Sequence, residues 1–272
     1  MALASAGVFA QNYRIVNAGT PPKAASVKVA PPRLPDPPPA RIAQIQQAFL
    51  QKEEHVRQLL RHDYTYKESI DMDELDSDGN VIGNFKQKDD ILFNNSGQRN
   101  IVCTWCPQPT LDNQVGLDER DMQDFFDMYA FSFKIHDLSQ YRIRYRGHYK
   151  LDQLTAYEFS VMPRKILKHH HYFQGKVWVD DVSLQIVKVD GQDVPDIYDK
   201  HGHITHFYLP FELYYQPVDN KYWFPAFNKQ KGPVPDSPGN IAIRMIIRFS
   251  DYKRYVATHT ITPMGPVPNP KP

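Results

Sequence analysis

The chain has 272 residues and a formal net charge of +1, which excludes charge-driven binding to nucleic acid or to an anionic membrane as its main activity. Its 16 Tyr and 15 Phe are enough to build a core and suit sheets better than helix bundles. No apolar run is long enough to cross a bilayer as a helix.

The first ten residues are small and apolar and close on Val8-Phe9-Ala10, which resembles a signal-peptidase site. A charged n-region is missing, so the true start is expected upstream, and the protein is expected to be periplasmic or secreted. Pro21, Pro22, Pro31, Pro32, Pro35, Pro37, Pro38 and Pro39 then favour extended polyproline II and cannot join a central strand. Residues 1–39 are therefore read as a signal-peptide remnant plus a Pro-rich linker. A single folded domain is expected over 40–258, and 259–272 form a second Pro-rich tail.

The domain opens with a helix signalled by Asp36 and Pro37 to Pro39. Ile42, Ile45, Phe49, Val56, Leu59 and Leu60 recur at helical spacing, so one face is expected to lie on a sheet. Strands follow. Tyr64, Tyr66, Ile70 and Met72 alternate with Thr65, Lys67, Ser69 and Asp71. Asp76-Ser-Asp-Gly-Asn80 predicts a hairpin turn, because Asp-Gly between two strand patterns supplies the positive φ such turns need. It is out of register for a calcium loop, since Phe85 would occupy the bidentate glutamate position. A second strand runs from Val81 to Phe93 and a third from Gln98 to Trp105.

A second helix is expected from Asp118 to about Phe131, with acidic residues in its first turn and an apolar stripe of Met122, Phe125, Phe126 and Tyr129. Further strands cover Tyr141 to Tyr145, Tyr157 to Val161, Tyr172 to Val179, Leu184 to Val189, Ile204 to Tyr215, Lys221 to Phe227 and Ile241 to Tyr255. In the last, Ile241, Ile243, Met245, Ile247 and Phe249 share one face. Short links between these strands imply antiparallel neighbours.

Few residues in this framework offer chemistry. Cys103-Thr-Trp-Cys106 has the spacing of a redox dithiol, but a catalytic pair opens a helix, and this one ends a strand before Pro107. Residues three apart on an extended strand are about 10 Å apart, whereas a disulfide needs Cα atoms within about 7 Å. Either the thiols stay structural or a local turn closes a disulfide. His169 to His171, and His201 with His203, read as loop histidines without the further ligands a metal requires. Asp89-Asp90 and Asp180-Asp181 read as turn or strand-end carboxylates. Arg142, Arg144 and Arg146 form a basic row opposite Tyr141, Ile143 and Tyr145, either a solvated face or a contact for an acidic partner or a lipid headgroup. No catalytic set, metal or cofactor is expected.

Four stretches, Tyr172-Phe-Gln-Gly-Lys-Val-Trp-Val-Asp180, Leu184-Gln-Ile-Val-Lys188, Lys221-Tyr-Trp-Phe-Pro225 and Arg248-Phe-Ser-Asp-Tyr-Lys253, occur in an order that resembles the LolA-like superfamily of outer-membrane lipoprotein carriers and lipoprotein-sorting proteins. The resemblance covers about residues 140 to 255. It implies an α+β, mainly antiparallel fold: a half-open curved β-barrel with helices on its concave face. It also implies a non-enzymatic protein whose partner is a lipid or lipoprotein held in the apolar hollow. Phe125, Phe126 and Tyr129 are then candidates for a helical lid, and Trp178 and Trp223 for the lining. The alternative is a periplasmic sensor or protein-interaction module on the same scaffold, contacting an envelope protein through the sheet edge or through Arg142, Arg144 and Arg146. The Pro-rich tails and the cysteine pair depart from a typical carrier.

Overall fold

The computed structural model describes residues 31–255, apart from 95, 112–138, 152, 168–169, 236 and 238. The expected second helix, the leader and the C-terminal tail lie outside the described residues.

A short strand, β1 (Arg33–Leu34), precedes the helix α1 (Pro39–Asp63). Pro38 is the cap residue and Pro39 occupies the first helical position, where its missing N–H costs nothing. Asp36 does not cap the helix. It pairs with Arg33 and accepts a hydrogen bond from Tyr145 instead. Arg61 and His62 sit in the last turn, where the helix dipole favours positive charge. Ile45, Phe49, Leu50, Val56 and Leu60 are buried.

The other elements among the described residues are strands. In order these are β2 (Tyr64–Leu75), β3 (Val81–Phe93), β4 (Arg99–Trp105), β5 (Tyr141–Leu151), β6 (Leu154–Pro163), β7 (Tyr172–Asp180), β8 (Ile186–Val194), β9 (Ile197–Tyr198), β10 (Ile204–His206), β11 (Phe211–Val218), β12 (Tyr222–Pro233) and β13 (Ala242–Arg254). Eleven of them form one antiparallel sheet in the order β1-β5-β6-β7-β8-β11-β12-β13-β2-β3-β4, and β9 pairs with β10 separately. β1 and β4 end this order and do not pair with each other, so the sheet of the described residues is not closed into a barrel.

The β2–β3 hairpin turns as expected. Asp76 Oδ1 accepts from the amides of Asp78 and Asn80, and Gly79 takes φ 84°. The expected strand from Ile204 to Tyr215 breaks in two. Phe207 to Pro210 belong to no strand, and β10 folds back on β9 across the Asp199–Gly202 turn. The expected strand from Leu184 starts at Ile186, because Leu184 adopts φ 53° in the β7–β8 turn. Gly175 and Gly191 face each other across β7 and β8, with the Phe173 ring lying over both. A Cβ at either would meet that ring at 2.6–2.7 Å and the opposing backbone closer still, so only glycine fits.

One buried apolar cluster joins α1 to the inward residues of β2, β3, β6, β7, β8, β11, β12 and β13. Ile241, Ile243, Met245, Ile247 and Phe249 all belong to it. A smaller cluster of Ala156, Trp178 and Val187, with Trp223 against it, lies on the opposite face.

Candidate functional site

The face under α1 is an aromatic floor. Phe49 of α1 meets Phe159 of β6 with ring centroids 5.1 Å apart. Tyr64 stands edge-on to Phe224 at 4.8 Å, and Tyr66 contacts Phe93, Phe249 and Tyr252. Such pairs contribute about 0.5–1.5 kcal/mol beyond their buried area. Lys52 Nζ donates to the Ser183 carbonyl at 2.5 Å and ties α1 to the β7–β8 turn. Between α1 and the sheet lies a cavity of ≈ 30 Å³ lined by Glu53, Val56, Leu60, Phe93, Tyr215 and neighbours. That is room for water and not for an acyl chain.

Carboxyl groups sit within this apolar layer. Glu68 is 2% exposed, and its register partners are Phe249 on β13 and Asp89 on β3. Among the described residues, neither of its oxygens accepts a hydrogen bond. Burial pushes the Glu68 carboxyl up to about 8, and the nearby Asp89 adds to this while Arg99 opposes it. Burial also raises Asp89, against two hydrogen bonds from Gln87 Nε2 at 2.9 and 3.0 Å. Glu53, half-buried on α1, is pushed up to about 8 by burial, with Arg57 opposing. The Tyr252 and Tyr215 hydroxyls are raised well above their ordinary range by burial. Near neutral pH Glu68 and Glu53 are therefore largely uncharged acids, able to donate a hydrogen bond to a carbonyl. This corrects the reading of Asp89-Asp90 as a turn or strand-end pair. Asp89 is 1% exposed inside β3, while Asp90 points outward to Lys67 at 2.6 Å. Alternation along the strand separates the two neighbours. Asp180 and Asp181 do close β7. Asp180 accepts from the Ser183 amide, and Asp181 meets His148 Nε2 at 2.9 Å.

The two candidate tryptophans occupy the other face. Trp178 lies between Val177 and Val179, which point to the α1 side, so it points away and packs with Ala156, Val187 and Trp223. Lys188 and Lys176 stand over its ring at 5.0 and 5.9 Å. Trp178 and Trp223 thus do not line the helix-covered face. Phe125, Phe126 and Tyr129 lie outside the described residues.

Arg142, Arg144 and Arg146 are exposed on β5. Arg142 and Arg144 oppose Met162 and Ser160 on β6, and Arg146, in a bulge, turns to the same side and donates to Ser160 Oγ at 2.9 Å. β1 pairs only with His148 and Tyr149 of β5. Among the described residues, Tyr141 to Gly147 are therefore bonded to a strand on the β6 side alone.

At the other edge, Cys103 and Cys106 are joined in a disulfide with Cα atoms 6.2 Å apart. β4 exposes Ile101, Val102 and Trp105. Asp89 lies within ligand reach of both sulfurs, but the disulfide leaves no thiolate to hold a metal. His201 and His203 sit in the exposed turn around Asp199, and His171 meets Tyr208 Oη at 2.7 Å. His169 lies outside the described residues. Glu68 and Glu53 escaped the sequence reading. Its one signal was phase, since Glu68 stands two residues from both Tyr66 and Ile70.

No protein-family model matches the chain, and no curated protein matches it. Solved structures similar to it include three covered almost entirely. One is a DUF1329 family protein from Desulfovibrio piger, at 14% identity and TM-score 0.37, covering 78% of this chain and 94% of that one. A second is a domain of an outer membrane lipoprotein-sorting protein from Vibrio parahaemolyticus, at 13% identity and TM-score 0.33, covering 79% and 95%. A third is a LolA superfamily protein from Nitrosomonas europaea, at 13% and 0.33, covering 78% and 94%. The LolA-like resemblance of the strand and turn motifs is met again among these structures. At such scores the likeness carries no argument about what this chain binds, which rests on its own residues.

Proposed function

We propose that the chain is a non-enzymatic binding protein of the periplasm or extracellular space, which holds a lipid or lipidated protein against the α1-covered face of a curled, open sheet. One observation carries this reading: a single apolar layer is shared by α1 and inward residues from β6 through to β3. β6 and β3 are seven strand spacings apart in the sheet, about 34 Å if it were flat. Phe49 meets β6, yet Val56 and Leu60 share a small cavity with Phe93 of β3. Leu60 is only about 16 Å along the helix from Phe49. Side chains bridge part of the difference, and a sheet curling round the helix accounts for the rest. The Cys103–Cys106 disulfide supports an oxidising compartment.

The driving force is burial of acyl surface, about 25 cal/mol per Å², or about 0.8 kcal/mol per methylene. The ≈ 30 Å³ cavity under α1 is too small for a chain, so binding there requires α1 to shift on the sheet, giving up contacts such as Phe49–Phe159. The uncharged Glu53 and Glu68 carboxyls offer donors to an ester carbonyl beside that layer. Native mass spectrometry of purified protein, before and after incubation with palmitic acid and with a diacyl phospholipid, tests the proposal. Retained lipid at one-to-one stoichiometry is expected. A protein that takes up neither probe overturns it.

A second reading is a protein-interaction module on the same scaffold. The open side of β5 beside Arg142, Arg144 and Arg146 favours it. Loss of an envelope partner on charge reversal there, with acyl uptake intact, separates the two.

A further inference from the structure

Asp89 of β3 and Cys103 of β4 are direct partners across the sheet, so their side chains project from the same face. Cys106 follows Trp105, the last residue of β4, and the Cα atoms of the two cysteines are 6.2 Å apart. One Asp89 oxygen and both sulfurs lie within 4.8 Å of one another. Asp89 is 1% exposed, and Gln87 Nε2 donates to both its oxygens. The cysteines are exposed, so the group is closed on the carboxylate side and open to solvent on the other.

As a disulfide the pair is no metal ligand, and reduction changes that. A dithiol reductant gives up two electrons and two protons and closes to its own disulfide, while the Cys103–Cys106 bond breaks to two thiols. A divalent metal then takes both sulfurs as thiolates and releases their protons to water. Zinc–sulfur bonds of about 2.3 Å place two sulfurs about 3.8 Å apart in a tetrahedron, a spacing that cysteine side chains reach by rotation from Cα atoms 6.2 Å apart. β4 itself stays tied to β3 meanwhile. The two are laddered from Arg99 opposite Phe93 to Trp105 opposite Lys88, and Thr104 Oγ1 donates to the Lys88 carbonyl at 2.9 Å.

We propose that Cys103, Cys106 and Asp89, with the cysteines reduced, bind a thiophilic divalent metal, zinc by preference, with the fourth position left to solvent. Two thiolates disfavour magnesium and calcium, which take oxygen ligands. The Gln87 bonds orient the Asp89 carboxylate as outer groups orient metal ligands elsewhere. A bound cation also offsets the cost of an ionised Asp89 buried beside Glu68, its partner on β2. Three protein ligands and a water are the pattern of an exchangeable or reactive zinc site and not of a closed structural one. Oxidation of the pair expels the metal, so occupancy follows the redox state of the surroundings. The sequence reading expected no metal, because Asp89 joins the two cysteines only through the pairing of β3 with β4. This inference stands apart from the acyl-binding proposal.

The test uses the full chain, either oxidised or reduced with dithiothreitol and then freed of it under argon, with cobalt(II) as the probe. The reduced chain should bind one cobalt and show thiolate-to-cobalt charge-transfer absorption together with the intense visible bands of a tetrahedral site. Zinc should displace the cobalt and magnesium should not. The oxidised chain should show neither absorption. Asp89→Asn should weaken cobalt binding by about tenfold or more. Asp90→Asn, which alters a carboxylate turned outward to Lys67, should leave it nearly unchanged. Should Asp89→Asn not fold, Gln87→Ala should weaken binding in the same direction, since it frees the carboxylate from its hold. A reduced chain that binds no cobalt, or one that binds it as well with Asn at position 89, overturns the site. Equal binding by the oxidised chain overturns it too, because the thiolates would then play no part.

Discussion

Glu68 sits on the buried face of β2, with aromatic and aliphatic neighbours on three sides, and its acidity follows from that location. Its carboxyl is raised from 4.5 to about 8 in the folded protein. Between those values the unfolded chain loses its proton and the folded one keeps it. Stability is then fully present below about pH 4.5 and drains away as pH rises towards 8, by at most about 1.4 kcal/mol per pH unit for one such group. Asp89 shifts in the same direction. Urea melts from pH 5 to 8 should show the native protein losing stability as pH rises. Glu68→Gln should flatten that slope and be the more stable of the two at pH 8. An unchanged slope would mean that water reaches Glu68 in the folded state. Phe49→Ala should cost about 3–5 kcal/mol, because a fully buried ring against Phe159 leaves a cavity the sheet cannot close. Circular dichroism melts would read that loss. Phe49 was legible from helical spacing alone. Glu68 was not, because an acid in phase with Tyr66 and Ile70 looks like an interruption of the apolar face, and only cross-strand neighbours reveal that it is buried.

Elements were legible wherever a period ran uninterrupted. α1 and β13 follow their apolar repeats closely, and the β2–β3 turn follows its Asp-Gly signal. The break between β10 and β11 was overridden by the aromatic and apolar content of Ile204 to Tyr215, although Pro210, which cannot donate to a ladder, already marked where Phe207 to Pro210 leave the sheet. The bulge at Arg146 had one signal, Gly147 inside the strand pattern, but which residue it displaces is set by the partner strand β6. β4 carries the disulfide on an exposed edge, and the loop it closes spans only three positions. A loop so short limits its stabilisation to about 2 kcal/mol on chain-entropy grounds. Reduction, or the pair Cys103→Ser and Cys106→Ser, should therefore lower the urea midpoint modestly and leave one cooperative transition. Global unfolding on reduction would mean that β4 anchors far more of the sheet than its edge position implies.

At the scale of the whole molecule, the strand order makes β13 the seam. It bonds β12 on one side and β2 on the other, so residues 242–254 are clasped by residues 64–75. Their shared row of Ile70, Met72, Met245 and Ile247 lies in the buried cluster. A chain truncated before Ala242 should lose the join between the two halves of the sheet and show no cooperative melt by calorimetry. A truncated chain that melts like the whole would mean that the β12 and β2 sides stand on their own. This long-range order was only partly legible. Neighbouring strands announce themselves by short links, whereas nothing in residues 64–75 announces a partner more than 150 positions away. The seam also has a consequence for biogenesis. Polypeptides emerge amino end first, so the β2–β3 hairpin is synthesised long before its flanking strand exists. Until then one side of that hairpin is a bare adhesive margin, assembly is slow because so much chain must be looped in, and a holdase or swift completion of synthesis has to guard it from sticking to other chains.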